Sequence, residues 1–470
     1  MQKPDKDDYE PPACWREPLG ESPAVLAKRD FVRPSPWCPK TNLEFDPWCD
    51  PDNPKTVTYK DILNATSVVN EYIPPSPLKR SKCCVQFEME LNYKFEIFHN
   101  TGSFKDRGAL YALSTLNKEQ RQNGVLTAST GNWALALAFR GQQLGIPVTV
   151  VLPVNTMHSV IQRCQHYEAT VILFGGDLSE STRKAFLMIY EGSTFTFING
   201  YDHPHIIAAN GSIGLEILNQ LPQTDVIIVP IGGGGLIAGI AAAIKKIKPK
   251  VLIYGVEANK CCCFFKAMEN ERPYKTAVTE SLAASLAVPT AGCNSFHTSK
   301  SLIDKMVLVD EDWIARAILH MVEEEKIALE GAGVISLAAL FAVPNVLTEL
   351  RGKTVVCIIS GATIDSFALP RCFERAKAIE GRLIKLTLSK VLSIVSNVGC
   401  NVLQAYKDKS WLEENDFYTI RFTIICETLG LGHACTLKRV MEKLFPNICN
   451  FLEEPFSPIP ICACYPRRLP

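Results

Sequence analysis

The sequence predicts an α/β protein built on parallel sheet, and three observations carry that expectation. First, the apolar runs VTVVL (148–152), VIIVP (226–230), LIYGV (252–256) and VVCIIS (355–360) are continuous rather than alternating. A strand buried on both faces needs apolar residues at every position, which is the condition inside a parallel sheet covered by helices. Second, these runs alternate with stretches of helical periodicity from about residue 56 to 375. Third, one crossover can be followed residue by residue. VLTAS (125–129) reads as a strand, residues 132–144 as a helix, Gly145 as its end, and IPVTVVLP as the returning strand. A βαβ unit of this kind fixes its two strands parallel.

The remaining elements follow in order. Residues 1–55 hold eleven prolines and little apolar periodicity, with Trp15, Trp37 and Trp48 set among polar residues. An extended, irregular arm is expected there, pinned to the body by those rings. Residues 56–378 form the α/β body, with helices expected over 109–116 and 311–328. After residue 380 the pattern changes. RLIKLTLS (382–389) alternates as a half-buried strand, and a short helix follows around 391–398. NVLQAY (401–406) and FYTIRFTIIC (417–426) read as strands, residues 433–444 as a helix, and a last segment lies near 449–452. The order βαββαβ predicts a separate α+β domain over residues 381–470.

Composition narrows the function. Lysine plus arginine and aspartate plus glutamate each total 49, so the net charge is zero. A basic nucleic-acid surface and steering to anionic membranes are therefore not expected. The first ten residues are polar and acidic, which fits neither a secretory nor a mitochondrial leader, and a cytoplasmic location is expected. Residues 226–244 carry no charge and are long enough to span a bilayer, yet Pro230 and the four glycines Gly232 to Gly235 interrupt them. A buried strand, a glycine turn and a helix start explain that stretch better. The 18 cysteines show no C-x-x-C spacing, and a zinc site or disulfide framework is not expected.

Four motifs carry chemistry. HNTGSFKDRG (99–108) places Lys105 among small and polar residues before a helix. Lysine forms Schiff bases with carbonyl cofactors once its ammonium is desolvated enough to lose a proton. Ser129-Thr130-Gly131-Asn132 lies at a strand–helix junction, where backbone amides favour an anion such as a carboxylate. Gly232-Gly233-Gly234-Gly235 sits between a strand and a helix, a place where bare backbone can wrap a phosphate. Ile359-Ser360-Gly361-Ala362 puts a hydroxyl at the C-terminal end of an apolar strand, where α/β proteins bind ligands. Taken singly, each motif has a plainer reading: a surface lysine, an N-cap, a tight turn and a strand end.

Taken together and in this order, TGSFKDRG, STGN, GGGG and the strand-end serine resemble the signature of fold-type II pyridoxal-phosphate enzymes, the tryptophan synthase β-like group. NGYDHP (199–204), SIGLEIL (212–218), GVE (255–257) and LEGAG (329–333) continue the likeness. Within the group the sequence is most similar to threonine dehydratase and serine racemase over about residues 56–378, and residues 381–470 resemble an ACT-type regulatory domain. The resemblance implies two parallel-sheet lobes, the smaller and mobile one over about 94–198, a pyridoxal 5′-phosphate cofactor and a homo-oligomer, dimer or tetramer. It implies that Lys105 carries the cofactor and moves the α-proton. Phe104 would pack beside it, Asn132 bond the ring's phenolic oxygen, Gly232, Gly233, Gly234 and Gly235 hold the phosphate, and Ser360 meet the pyridine nitrogen. Ser129, Thr130, Gly131 and Asn132 would hold the substrate carboxylate. The implied reaction is β-elimination of water from L-threonine or L-serine, giving a 2-oxo acid and ammonia.

Several positions depart from the family pattern. Trp133 replaces a histidine, Ala209-Asn210-Gly211 a Gly-Gln-Gly, Ala283-Ala284-Ser285 an Ala-Asp-Gly, and Gly361-Ala362-Thr363 a Gly-Gly-Asn. Glu257 is the one candidate metal ligand, but Cys263 stands where cation-dependent members have an aspartate, so no metal is expected. The C-terminal piece lacks a D-x-P-G loop. Thr130 carries the hydroxyl that a racemase would use as a second acid/base, in a bulkier and stiffer side chain. The readings are thus an active threonine/serine ammonia-lyase first, a serine racemase second, and a degenerate cofactor-binding homologue with a regulatory role third.

Overall fold

A computed structural model of the 470-residue chain describes residues 45–82, 88–342, 348–380, 382, 394–409, 420–429 and 431–445. Trp15, Trp37, the expected strand from 383 onward and the segment near 449–452 lie outside these residues. The chain divides into two units between Leu383 and Ile384.

The first unit contains two sheets. Its strands are β1 (Leu78–Arg80), β2 (Glu90–Phe95), β3 (Val125–Ala128), β4 (Val148–Leu152), β5 (Thr170–Leu173), β6 (Thr196–Phe197), β7 (Val226–Pro230), β8 (Leu252–Ala258), β9 (Lys305–Val309) and β10 (Thr354–Ile359). One sheet runs β5-β4-β3-β6 and is parallel throughout. The other runs β1-β2-β10-β7-β8-β9 and is parallel except where the short β1 pairs with β2. The expected α/β class is observed. Strands β4, β7 and β10 are buried at every residue, which is why their sequences show no alternation. The crossover read from sequence is present too: the helix Asn132–Leu144 joins β3 to β4 and ends at Gly145, whose φ of +63° is left-handed.

Residues 226–244 resolve into β7, a glycine turn and the helix Gly235–Ile247. Among the described residues no helix is long and apolar enough to cross a membrane. Two expected helices differ from those observed. The one expected over 109–116 is Lys105–Ser114, so Lys105 opens the helix instead of preceding it. The one expected over 311–328 keeps α winding over Glu311–His320, passes through a π turn at Met321–Glu325, and stops at Lys326, whose φ is +65°. The Glu325 carboxylate there turns back to the β1 end, accepting from Lys82 N at 2.9 Å and Ser81 Oγ at 3.3 Å.

A buried ion network explains the early helix start. Arg107 is fully buried and bonds Glu96 through Nε (2.8 Å) and Nη2 (3.0 Å), and Glu216 through Nη1 (2.5 Å) and Nη2 (3.0 Å). Lys94 Nζ reaches Glu216 at 2.5 Å and the Ser76 carbonyl at 2.7 Å, while Ser76 Oγ donates to Glu96 at 2.5 Å. Asp106 meets Arg140 at 3.0 Å. Polar letters that look like loop in sequence are here internal, paired and helical. The network ties β2, the helix Lys105–Ser114 and the helix Pro204–Gln220 together, directly behind Lys105.

In the second unit β11 (Asn401–Lys409) and β12 (Ile420–Glu427) pair antiparallel, close to the strands expected at 401–406 and 417–426. The helix Leu431–Leu444 follows, and Val395, Cys400, Leu437 and Met441 form a small core.

Candidate active site

The turn before Lys105 is stitched to the end of β10. Phe104 N donates to the Ser360 carbonyl at 3.1 Å, Ala362 N donates to the Gly102 carbonyl at 3.0 Å, and Ser103 pairs with Gly361 as an isolated bridge. Two motifs that lie far apart in sequence thus become neighbours, placing the lysine and the strand-end serine at one cleft. That cleft is lined by Phe104, Lys105, Asn132, Gly232 to Gly235 and Ser360, with Ser285 and Glu330 added, and encloses about 600 Å³, part of it open solvent. Its mixed polar and apolar lining suits a small polar ligand.

The glycine turn is packed so closely that side chains are excluded. A Cβ at Gly233 would stand 2.0 Å from the Tyr201 ring, and one at Gly235 would stand 2.2 Å from the Tyr201 carbonyl. Gly234 adopts φ +100°, which a side chain would strain. The turn opens the helix Gly235–Ile247, so the positive end of its dipole faces the cleft. Asn132 Oδ1 and Asn210 Oδ1 are buried without a partner, and both side chains line this cleft. A bare-backbone cradle at a helix start and a desolvated lysine beside it fit a phosphorylated carbonyl cofactor.

Glu330 is the functional candidate that sequence reasoning missed. It immediately precedes the helix Gly331–Ala342 and is almost fully buried. Asn132 Nδ2 donates to its Oε1 at 2.5 Å and Ser285 Oγ to its Oε2 at 2.6 Å. Gly361 makes room for it, since a Cβ there would lie 2.0 Å from Oε1. The signal was present as the LEGAG likeness, but nothing in the sequence pairs residue 330 with residue 132. Ser285 belongs to the Ala-Ala-Ser that departs from the family pattern, and its hydroxyl is one of the two side-chain donors holding Glu330.

Burial pulls the Lys105 ammonium down from 10.5 to about 8, with Glu330 opposing the shift. Burial raises the Glu330 carboxyl above its ordinary 4.5, while Ser285, Asn132 and Lys105 restrain it. Lys105 therefore has an appreciable free-amine population near neutral pH, which is the form that attacks a carbonyl. Glu330→Gln is expected to move the midpoint of Lys105 amine reactivity in the cofactor-free protein below its starting value of about 8. Labelling rate against pH reads this directly, and an unmoved or raised midpoint would count against the pairing.

Other expected site residues sit differently. Ser129 is buried, and its hydroxyl accepts from Gly131 N (3.1 Å) and Ala134 N (3.2 Å), capping the helix Asn132–Leu144. Thr130 is exposed, and neither Ser129, Thr130 nor Gly131 is in the cleft lining. Trp133 points into the core of the smaller sheet, donating to Thr127 Oγ1 at 2.8 Å. Ser360 is buried, lines the cleft and donates to the Ala332 carbonyl at 3.2 Å. Phe104 lies beside the lysine, with its ring centre 5.6 Å from Lys105 Nζ. Glu257 accepts from Phe264 N (2.9 Å) and Phe265 N (2.7 Å), so its carboxylate caps the short helix Cys263–Glu269. Burial raises that carboxyl to about 8. Among the described residues no group of three or more histidine, cysteine, aspartate or glutamate side chains could hold a metal ion, and all described cysteines are free thiols.

Comparisons with known proteins agree with this geometry. Residues 69–361 match the family described as pyridoxal-phosphate dependent enzyme. An L-threonine ammonia-lyase of Thermotoga maritima is 33% identical over 395 residues, covering 82% of this chain and 97% of that protein. The structure of the processed form of threonine deaminase isoform 2 from Solanum lycopersicum superposes with a TM-score of 0.63 at 30% identity, covering 69% of this chain and 96% of that one. Maize serine racemase superposes with a TM-score of 0.64 at 27% identity, covering 70% and 99%.

Proposed function

The chain belongs to the pyridoxal-phosphate dependent enzyme family, and from that premise we propose that it is an ammonia-lyase. Its substrates are L-threonine, L-serine or both, and its products are 2-oxobutanoate or pyruvate and ammonia. The observation that carries the reading is Lys105, with its lowered pKa, at a cleft shared with the glycine turn.

Pyridoxal phosphate supplies the electron sink for the α-carbanion that elimination requires. The protein supplies orientation and proton handling. Lys105 Nζ binds the cofactor and moves the substrate's α-proton, a role matched to an amine titrating near 8. The amides of Gly232, Gly233, Gly234 and Gly235 and the start of their helix hold the phosphate. Asn132 would meet the ring's phenolic oxygen, Phe104 packs beside the lysine, and Ser360 would turn its neutral hydroxyl to the ring nitrogen. A neutral partner there would leave that nitrogen unprotonated and the sink milder than a carboxylate would make it. Of the expected carboxylate holders Ser129, Thr130, Gly131 and Asn132, Asn132 alone lines the cleft, so the substrate carboxylate is assigned to the start of its helix at Asn132. Glu330 holds Asn132 in place and partly offsets the burial that lowers the Lys105 ammonium.

Elimination is favoured over racemisation because racemisation needs a second proton donor opposite Lys105. Thr130, the hydroxyl considered for that role, is exposed and outside the cleft lining. The second unit is assigned as an ACT-like regulatory domain, on the antiparallel β11–β12 pair and the helix beside it. A homo-oligomer working in the cytoplasm completes the proposal.

The deciding experiment is direct. Purified protein is titrated with pyridoxal phosphate and then supplied with L-threonine or L-serine, while 2-oxo acid release is followed. A lysine-bound cofactor band with turnover is expected. A band with no 2-oxo acid from either substrate would overturn the lyase assignment, and D-serine accumulating in the residual substrate would favour the racemase.

A further inference from the structure

The described segment before the helix Tyr59–Tyr72 is hydrogen-bonded to the helix Cys293–Ser299, which backs the glycine turn. Asn294 is the hub. It is fully buried in the helix Cys293–Ser299, and its Nδ2 donates to the Trp48 carbonyl at 2.7 Å and the Asp202 carbonyl at 2.9 Å. Its Oδ1 accepts from Lys55 N at 2.6 Å. Two residues on, Val57 N donates to Thr298 Oγ1 of the same helix at 3.1 Å. The Trp48 ring closes the attachment, lying 4.8 Å from His203 and 5.4 Å from His205, with Lys55 Nζ 4.1 Å above it.

From this helix the glycine turn is one bond away. Gly292 N donates to the Gly233 carbonyl at 2.8 Å. A second route passes through Asp202, whose carboxylate accepts from Asn294 N (3.2 Å), Ser295 N (2.8 Å) and Ser295 Oγ (2.9 Å). The preceding residue, Tyr201, lays its ring against Gly233, and its carbonyl accepts from Ser295 Oγ at 3.2 Å. Both neighbours that shape the turn therefore hang on the helix start that carries Asn294.

We propose that residues 45–57 are a strap that holds the glycine turn in its phosphate-binding shape through Asn294, which makes Asn294 a positioning residue for the cofactor phosphate. The inference rests on the cofactor role assigned to that turn. Its physical basis is the amide's valence. The strap provides one acceptor and one donor to a side chain with no access to water, and without them the buried amide must reorient or admit solvent. Either change loosens the segment that fixes Gly233. The phosphate is the part of the ligand that reads this turn, whereas the carbonyl reads Lys105.

The test separates those two parts. Two full-length variants are prepared without cofactor: Trp48→Ala, which removes the ring that seats the strap on His203, and Asn294→Leu, which removes both strap hydrogen bonds to the amide. Each is titrated with pyridoxal phosphate, with pyridoxal, and with inorganic phosphate as a competitor. Pyridoxal phosphate and inorganic phosphate are each expected to bind about tenfold more weakly than to the parent protein, within the usual range for coupled sites. Pyridoxal binding is expected to stay unchanged. Equal weakening of pyridoxal and pyridoxal phosphate, or no weakening of either phosphate compound, would overturn the strap. Failure of the parent protein to bind pyridoxal phosphate would instead overturn the function proposed above. If Trp48→Ala does not fold, Thr298→Val removes only the acceptor of Val57 and is held to the same criterion, with an expected loss of about threefold.

Discussion

Lys105→Ala is expected to abolish 2-oxo acid release, by roughly a thousandfold or more, the scale on which loss of a catalytic nucleophile acts. The same variant is expected to lose the absorbance of the lysine-bound cofactor while keeping its fold. No other described lysine is in the cleft lining, so no neighbouring amine takes its place. Survival of either turnover or the band in Lys105→Ala would assign the chemistry elsewhere. The substitution also has a signature in the cofactor-free protein. Burial holds Lys105 at about 8 in the fold against 10.5 in the unfolded chain. Between those values the unfolded chain keeps a proton that the native protein has released, so stability rises with pH across the window. Lys105→Ala removes that rise. Denaturant midpoints measured at pH 8 and pH 10 in the parent and the variant would show it as a difference in slope.

Arg107→Met is expected to destabilise the first unit by about 3–5 kcal/mol, because it strips the partner from two buried carboxylates. Methionine fills much of the volume but leaves Glu96 and Glu216 facing each other with only Lys94, His99 and Ser76 nearby. Burial alone would raise the Glu96 pKa, yet Arg107 and His99 outweigh it and hold the carboxyl well below its ordinary 4.5. A carboxyl held low contributes stability that is complete above about 4.5 and is lost as the pH falls through its folded value. Removing Arg107 raises that folded value, so acid unfolding of the variant begins at higher pH. Urea unfolding at neutral pH, followed by an acid titration, measures both effects. A loss near 1 kcal/mol would mean that water or repacking replaces the guanidinium. Activity is expected to fall with stability, since Arg107 sits two residues after Lys105 on the same helix.

The sequence by itself determined the α/β class, because strands inside a parallel sheet are buried on both faces and must be continuously apolar. VIIVP and VTVVL are legible as buried strands and fold as β7 and β4. It also singled out Lys105 and the glycine turn, through the order of four motifs and their resemblance to pyridoxal-phosphate enzymes, and folding brings both to one cleft. Local signals of that kind survive in a linear string. Other features depend on residues distant in sequence. The helix at Lys105 began four residues before its expected start, because the polar letters Asp106 and Arg107 are read as loop until Glu96, Glu216 and Arg140 are brought to them. Glu330 had no visible role until folding put it 2.5 Å from Asn132 Nδ2, and Ser129 looked like a ligand until its hydroxyl was seen capping its own helix. Trp48 was expected to pin the arm, but only the folded chain shows it docked on His203 and bonded to Asn294, beside the cleft. Periodicity and residue chemistry are local and so are written in the sequence. Which buried charge meets which partner is a matter of long-range packing, and tertiary structure decided it.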